Sequence, residues 1–173
     1  ALLDTLGIAP ERRMGRGVGV AIIDSGLQPS RDFVGEVMFY DFTRVSADGG
    51  PAPVRASRAF DDYGHGTHVA GLIAGTGMAS GGEYRGLAPN VRLVALKVLD
   101  ASGAGLTTNV IRAIDFAVAN RVRLGIDVIN LSLGHPVLEP AATDPLVLAV
   151  ERAVAAGLVV VTSAGNVGLN PLT

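Results

Sequence analysis

The sequence predicts an α/β fold: a three-layer α/β/α arrangement around a mainly parallel central sheet. Near-continuous β-branched and aliphatic runs, such as those at 18–24 and 91–99, indicate strands buried on both faces. Segments with helical spacing of apolar residues alternate with these runs, which is the order of right-handed βαβ units. At 173 residues the chain is long enough for one domain with a sizeable core.

The N-terminal part is predicted to contain a first strand between two irregular segments. Residues 1–16 mix short apolar pairs with polar residues and are expected to form a surface arm. The strand at 18–24 follows and ends in a turn that begins with a carboxylate. A short strand is predicted at 37–42, and the polar segment 43–58, rich in Gly, Pro and Ser, is expected to be a surface excursion.

A helix is predicted to begin at His65. Val69, Leu72 and Ile73 recur at helical spacing and are expected on its buried face. The segment 75–86 contains five glycines and predicts a flexible loop after this helix.

The second βα unit begins with the strand at 91–99, which is followed by a glycine-containing turn. Thr107 or Thr108 is expected to cap a helix that runs to about Arg123. Its predicted buried face consists of Val110, Ile111, Ile114, Ala117 and Val118.

The last unit is predicted from a strand at 127–132 and a helix that begins at Asp144 and Pro145, residues typical of the N-cap and first positions. Gly157 closes that helix. A final buried strand is expected at 158–163.

Composition excludes several classes of protein. A net charge of −2 gives no electrostatic reason to expect a nucleic acid or membrane partner, and the apolar runs are shorter than the roughly 20 residues that cross a bilayer. The absence of cysteine excludes a disulfide framework and a thiol nucleophile. Thirteen of the fourteen basic residues are arginine, to which we attach no functional weight.

Candidate functional residues follow the carboxyl ends of different predicted strands. They are Asp24, the segment Gly103-Ala104-Gly105, the segment Ser132-Leu133-Gly134, and Asn166. Because ligands of parallel sheets bind beyond the carboxyl ends of the strands, these residues are expected to meet at one edge. His65 opens a helix, and helix N-termini in this architecture point to the same edge.

Each of these residues has a structural interpretation as well as a functional one. Asp24 and Asn166 are common turn residues, and His65 between Gly64 and Gly66 is equally explained as a helix start with glycines for close packing. In a catalytic site, Asp24 would accept the Nδ1 proton of His65 and fix its tautomer, and the Asn166 amide would stabilise an oxyanion.

Three motifs resemble those of the subtilisin-like serine proteases, in the same order. They are Asp24-Ser25-Gly26, His65-Gly66-Thr67-His68-Val69-Ala70-Gly71 and Ser163-Ala164-Gly165-Asn166. The segment 130–134 (N-L-S-L-G) is similar to the S1-pocket strand of that family. The likeness runs from about 18 to 166 and implies a subtilisin-like peptidase domain across 1–173 and a secreted serine endopeptidase acting on polypeptides.

The resemblance also implies a role for each candidate. Asp24 would orient His65, His65 would act as general base and acid, and Asn166 would donate to the oxyanion. The segments at 103–105 and 132–134 would receive an extended peptide between them by β-strand addition. Within the second segment, Leu133 suggests an apolar P1 side chain.

The chain departs from the family pattern at the nucleophile. The Gly-Thr-Ser-Met-Ala motif that carries the family's serine does not occur in 1–173. We therefore expect this chain to be inactive alone. It is a fragment of a longer protease, one piece of a nicked enzyme, or a family member without the chemistry; we favour the fragment, incomplete at its C-terminus, with the serine in the missing C-terminal segment.

No cofactor is expected for the chemistry. Related enzymes often bind calcium in the loop after the histidine helix, but 76–85 offers only Glu83 as a carboxylate, too few hard ligands for calcium. A calcium site elsewhere, through Asp4 or Asp41, stays open.

Two other functions are considered. The first is a non-catalytic peptide-binding or regulatory domain on the same scaffold. The second is a metallohydrolase that uses Asp62, His65 and His68, although the His-Glu-x-x-His pattern is missing.

Outside such a metal site, His68 is expected to be a hydrogen-bonded structural residue and His135 a loop residue. Asp61 and Asp62 would favour basic substrate side chains near the scissile bond.

Overall fold

The computed structural model describes residues 5–8, 14–35, 37–44, 53–55 and 58–166. Within these ranges, six strands form one sheet and three α-helices pack against it. The strands are β1 (Gly19–Asp24), β2 (Met38–Asp41), β3 (Val54–Arg55), β4 (Arg92–Lys97), β5 (Val128–Leu131) and β6 (Val159–Thr162). The helices are α1 (His65–Ala74), α2 (Thr107–Leu124) and α3 (Pro145–Ala155), with a short 3₁₀ turn at Met78–Ser80.

The sheet has the strand order β3-β2-β4-β1-β5-β6. All neighbouring strands are parallel except β2 and β3, which pair antiparallel. The predicted mainly parallel sheet is therefore confirmed. Because β1 lies between β4 and β5, its carboxyl end is at the centre of the edge where ligands are expected.

Two apolar clusters form the core, one on each face of the sheet. On one face, Ala70 and Ala74 of α1 pack with β1, β2 and β4. On the other, α2 and α3 pack together over the sheet through residues such as Ile114 and Ala153. Helices on both faces complete the predicted three-layer architecture, which the alternating runs of the sequence require.

The helix boundaries agree with the sequence except at the start of α2. Leu106 is the N-cap and makes no side-chain capping bond, so the predicted threonine cap is wrong. By contrast, the Asp144 carboxylate accepts the N–H groups of Leu146 (2.8 Å) and Val147 (3.3 Å), and Pro145 is the first residue of α3. The cap predicted for α3 is thus confirmed, and Gly157 follows that helix with φ 89°.

Two expectations of burial are wrong. Val159 and Val161 of β6 are 59% and 50% exposed, although their strand was predicted to be buried, because none of the described helices covers that face of β6. Leu72 is 45% exposed because it lies on the outer side of α1, whereas Val69 and Ile73 pack against the core as predicted.

The predicted arm and the predicted excursion lie largely outside the described residues. No helix in the described ranges is long and apolar enough to cross a membrane.

Candidate active site

Asp24 and His65 are in direct contact at the carboxyl edge of the sheet. Asp24 ends β1 and is fully buried, whereas His65 opens α1 and its side chain is 42% exposed. The Nδ1 atom of His65 lies 2.9 Å from Oδ1 and 3.0 Å from Oδ2 of Asp24. A carboxylate at this distance assigns the proton of the neutral ring to Nδ1 and leaves the lone pair on Nε2. Such a ring can act as a base through Nε2.

The contact depends on close packing between the turn after β1 and the first turn of α1. The Asp24 carboxylate also accepts the backbone N–H of Ser25 at 2.7 Å. The Ser25 hydroxyl in turn accepts the N–H of Gly66 at 2.9 Å. Through Ser25, these two bonds connect the end of β1 to Gly66, the residue that follows His65. They therefore hold Asp24 and His65 close together.

Asp61 holds the N-terminus of α1, where the N-cap residue Gly64 has φ 99° and no capping side chain. Its carboxylate accepts the N–H of Gly64 at 2.8 Å and, from Thr67, the N–H at 2.9 Å and the hydroxyl at 2.6 Å. Burial alone would raise the pKa of Asp61, but the hydrogen bonds from Thr67 and Gly64 outweigh it and hold the pKa below its usual value. The Asp61 carboxylate therefore serves as the hydrogen-bond acceptor that holds the start of α1.

Lys97 lies beneath this arrangement and was missed by the sequence analysis. It is the last residue of β4 and the only lysine of the chain. Its side chain is 2% exposed, and its Nζ lies 2.5 Å from Oδ1 of Asp62. The sequence did contain a signal for Lys97: a positive charge within an apolar strand, which needs hydrogen-bond acceptors if it is buried.

One cleft joins the remaining candidates to His65. It has a volume of about 510 Å³. Its lining includes every candidate except Asp24: His65, Gly103, Ala104, Gly105, Ser132, Leu133, Gly134 and Asn166, together with Tyr63, Leu99, Thr107, Val110, His135, Pro136 and Leu146. The structure thus brings together the residues that the topology predicted to meet.

Tyr63 and Asp100 shape the wall at 103–105, and the sequence analysis assigned neither of them a role. A Cβ at Gly103 would lie 2.5 Å from Cζ of Tyr63, so the aromatic ring lies directly on the glycine backbone. The Asp100 carboxylate accepts the hydroxyl of Ser102 at 2.6 Å and its N–H at 2.8 Å, and the N–H of Ala104 at 3.2 Å. The bonds from Ser102 are the main cause that lowers the pKa of Asp100.

The opposite wall is tied to helix α3. The Nε2 atom of His135 lies 3.1 Å from Oδ2 of Asp144, the capping residue of α3. The Ser132 hydroxyl accepts the side-chain N–H of Asn130 at 2.9 Å. His135 is therefore a loop residue, as expected, but one with a fixed partner.

His68 and Asp62 do not join His65 in a metal site. Asp62 is paired with Lys97, and His68 is exposed on the outer side of α1, where it lines a second cavity of about 390 Å³ with Phe33 and Tyr84. In the described part of the chain, no three His, Asp or Glu side chains are close enough to hold a metal ion. The geometry therefore gives the metallohydrolase hypothesis no support.

The described loop after α1 offers few oxygen groups that could bind a calcium ion. The Oδ1 atom of Asp32 accepts the N–H of Ala79 at 2.8 Å, and Glu83, the only carboxylate of the loop, is exposed. Oδ1 of Asp41 accepts the N–H of Thr43 at 2.8 Å and its hydroxyl at 2.6 Å, and Oδ2 lies 3.1 Å from Nε of Arg44. Calcium prefers six to eight oxygen ligands, far more than these groups offer. Asp4 lies outside the described residues.

Fold and site together define an α/β protein with a carboxylate-bound histidine beside a cleft of about 510 Å³. The chain belongs to the subtilase family, whose model matches residues 15–172.

Relatives and solved structures agree with this assignment. The chain is 40% identical to subtilisin DY of Bacillus licheniformis and 37% identical to serine protease AprX of Bacillus subtilis (strain 168), over 89% of its length in each case. It covers 49% of the first protein and 34% of the second. The solved structure of Sphericase matches with a TM-score of 0.76 and 30% identity, over 98% of this chain and 53% of that one. The chain therefore spans about half or less of the length of the relatives it matches.

Proposed function

We propose that the natural polypeptide containing this sequence is a serine endopeptidase, and that this chain supplies every part of its active site except the nucleophile. The observation that carries this proposal is the contact between the buried Asp24 carboxylate and Nδ1 of His65. Such a contact, at a cleft edge and with Nε2 left unprotonated, is the arrangement that activates a hydroxyl nucleophile.

In the proposed mechanism, Nε2 of His65 takes the proton of a serine hydroxyl as its oxygen attacks the scissile carbonyl. The Nδ1 proton stays on the ring, and Asp24 stabilises the imidazolium that forms. The side-chain N–H of Asn166 donates to the developing oxyanion. His65 then gives its proton to the departing amine. In the second half of the reaction Nε2 takes a proton from water as the water oxygen attacks the acyl carbonyl, and the proton returns to the serine oxygen as the acid product leaves. The serine is supplied from outside this chain.

The substrate is proposed to be an extended polypeptide bound between the segments at 103–105 and 132–134. Among the described residues, no backbone hydrogen bond joins Gly105, Ser132 or Gly134 to the rest of the chain. Free backbone groups on both walls of a cleft suit main-chain pairing with an inserted peptide strand. Leu133, on one wall, supports the proposed apolar P1 side chain.

The hydrogen bonds of Asp61 and Asp62 change the expectation that the site favours basic substrate side chains. Asp61 is used by the start of α1 and Asp62 by Lys97, so neither is a free anion for a basic substrate side chain. We therefore retain no preference for basic substrates in the proposed function. The chemistry as proposed needs no cofactor, and export from the cell rests on the family alone.

A serine-directed phosphonate probe tests the proposal on the natural full-length polypeptide. We expect stoichiometric labelling of one serine outside residues 1–173 and no labelling of this chain alone. A chelator should leave both the labelling and the peptidase activity unchanged. A metallohydrolase, by contrast, would lose its activity. Absence of labelling in a folded full-length polypeptide that still binds peptides would favour the non-catalytic alternative.

A further inference from the structure

We propose that Lys97 is a positioning residue, whose ammonium group holds the turn after Asp24 and the loop before His65 in fixed relation. This inference rests on the proposed peptidase function. It concerns a residue that touches neither a substrate nor the reacting atoms.

The sheet register places Lys97 beside the site. In the ladders between strands, Lys97 is the partner of Asp24 on β1 and of Asp41 on β2. Residues paired in register on parallel strands point to the same face of the sheet. As whole residues all three are at most 1% exposed, so Lys97 lies on the sheet between two buried acidic residues.

The ammonium group satisfies three acceptors, which equals its number of donors. Its Nζ donates to the carbonyl of Ser25 at 2.6 Å, to the carbonyl of Leu99 at 2.6 Å and to Oδ1 of Asp62 at 2.5 Å. The ring of Phe60 lies beside it, with its centroid 5.3 Å from Nζ. A buried ammonium whose three protons are all used is held stiffly.

Two of these three acceptors, on Ser25 and Asp62, belong to the segments next to the catalytic pair, and the third, on Leu99, lies just after β4. Ser25 directly follows Asp24, and its hydroxyl already accepts the N–H of Gly66. Asp62 lies three residues before His65, in the loop that leads into α1. The ammonium group therefore links the strand end to the helix entrance below the Asp24–His65 contact.

The choice of residue supports this role. The planar guanidinium of arginine directs its donors in a fixed fork, whereas the ammonium directs three protons in a tetrahedral array toward converging acceptors.

The experiment compares Lys97→Met with Asp62→Asn in the natural full-length polypeptide. Met has a similar length but no donor, so both carbonyls and the Asp62 carboxylate lose their partner. Asn at 62 removes only the charge of one acceptor and serves as the matched control. We expect Lys97→Met to lower kcat about 10- to 100-fold with KM within about two-fold, because small misplacements cost this much. Asp62→Asn should lower kcat less than about three-fold, and Lys97→Arg should not restore the rate.

A proton NMR readout separates this inference from the proposed function. The Nδ1 proton of His65, bonded to Asp24, should give a strongly downfield signal that broadens or moves upfield in Lys97→Met and stays in place in Asp62→Asn. The signal needs no turnover, so the inference is testable even if the full-length polypeptide has no peptidase activity. A folded Lys97→Met protein with unchanged kcat and signal would overturn the positioning role. So would failure of that variant to fold, which would assign Lys97 to the stability of the whole domain.

Discussion

Gly66 of α1 lies against the carbonyl of Gly26 in the turn after β1. A Cβ at position 66 would be 2.3 Å from the Gly26 oxygen and 3.1 Å from the Cβ of Asp24. The neighbouring atoms are mainly backbone and cannot move without moving the turn itself. The glycine therefore sets how closely the helix that carries His65 approaches the strand that carries Asp24.

Gly66→Ala should push α1 away from this turn. We expect the free energy of unfolding to fall by about 1–3 kcal/mol from overpacking, and the activity of the full-length polypeptide to fall with it. Gly71→Ala is the matched control, because a Cβ there has nothing within 4 Å, and alanine should stabilise the helix by up to about 1 kcal/mol. Chemical denaturation measures both values, and equal effects of the two variants would contradict the close approach.

Replacing Asp61 with Asn should reduce stability in a pH-dependent manner. The pKa of Asp61 is lowered in the folded protein, so its contribution is present above the unfolded value near 3.8 and is lost as pH falls through the folded value. The stability lost by Asp61→Asn should therefore be largest near neutral pH and should shrink below about pH 4. Thermal melting curves from neutral to acidic pH measure this difference. A difference that grows on acidification would have the wrong sign.

Asn166→Leu tests the oxyanion role. We expect kcat of the full-length polypeptide to fall about 10²- to 10³-fold with KM nearly unchanged, because the amide donor acts only on the charge that develops in the transition state. Steady-state kinetics on a peptide substrate separate the two constants. A large rise in KM with little change in kcat would show instead that Asn166 binds the ground state.

Activity should be lower at acidic than at alkaline pH, since only a neutral imidazole can act as a base. The kcat/KM of the full-length polypeptide, followed between about pH 5 and pH 9, measures this dependence. His65→Ala supplies the control, because its residual activity should lack the same acidic limb. A flat profile in the unchanged protein would contradict the role of His65.

The sequence predicted the positions that depend on topology better than those that depend on contacts. Asp24 ends a β-branched run and His65 begins a helical pattern, and the parallel order of the strands forces both to one edge. Lys97 could not be assigned in this way, because two of its three acceptors are backbone carbonyls that carry no sequence signal. The ring of Tyr63 on Gly103 is a contact of the same kind, visible only once the loops are placed.

The errors of the sequence analysis also have physical causes. The valines of β6 predicted burial, but hydrophobicity does not specify which element covers a strand, and no described helix covers Val159 and Val161. The threonines before α2 are good capping residues in general, yet the helix begins one residue earlier than such a cap requires, after Leu106.

The most direct test of the central claim is the turnover of Asp24→Asn in the natural full-length polypeptide. Asparagine keeps the size of the side chain but cannot hold the imidazolium or fix its tautomer in the same way. We predict that kcat falls about 10⁴-fold, the size of loss known for this exchange in a serine protease, while the protein stays folded and still binds peptides. A variant that retains kcat within about ten-fold of the original would contradict the assignment of Asp24 and His65 as a catalytic pair.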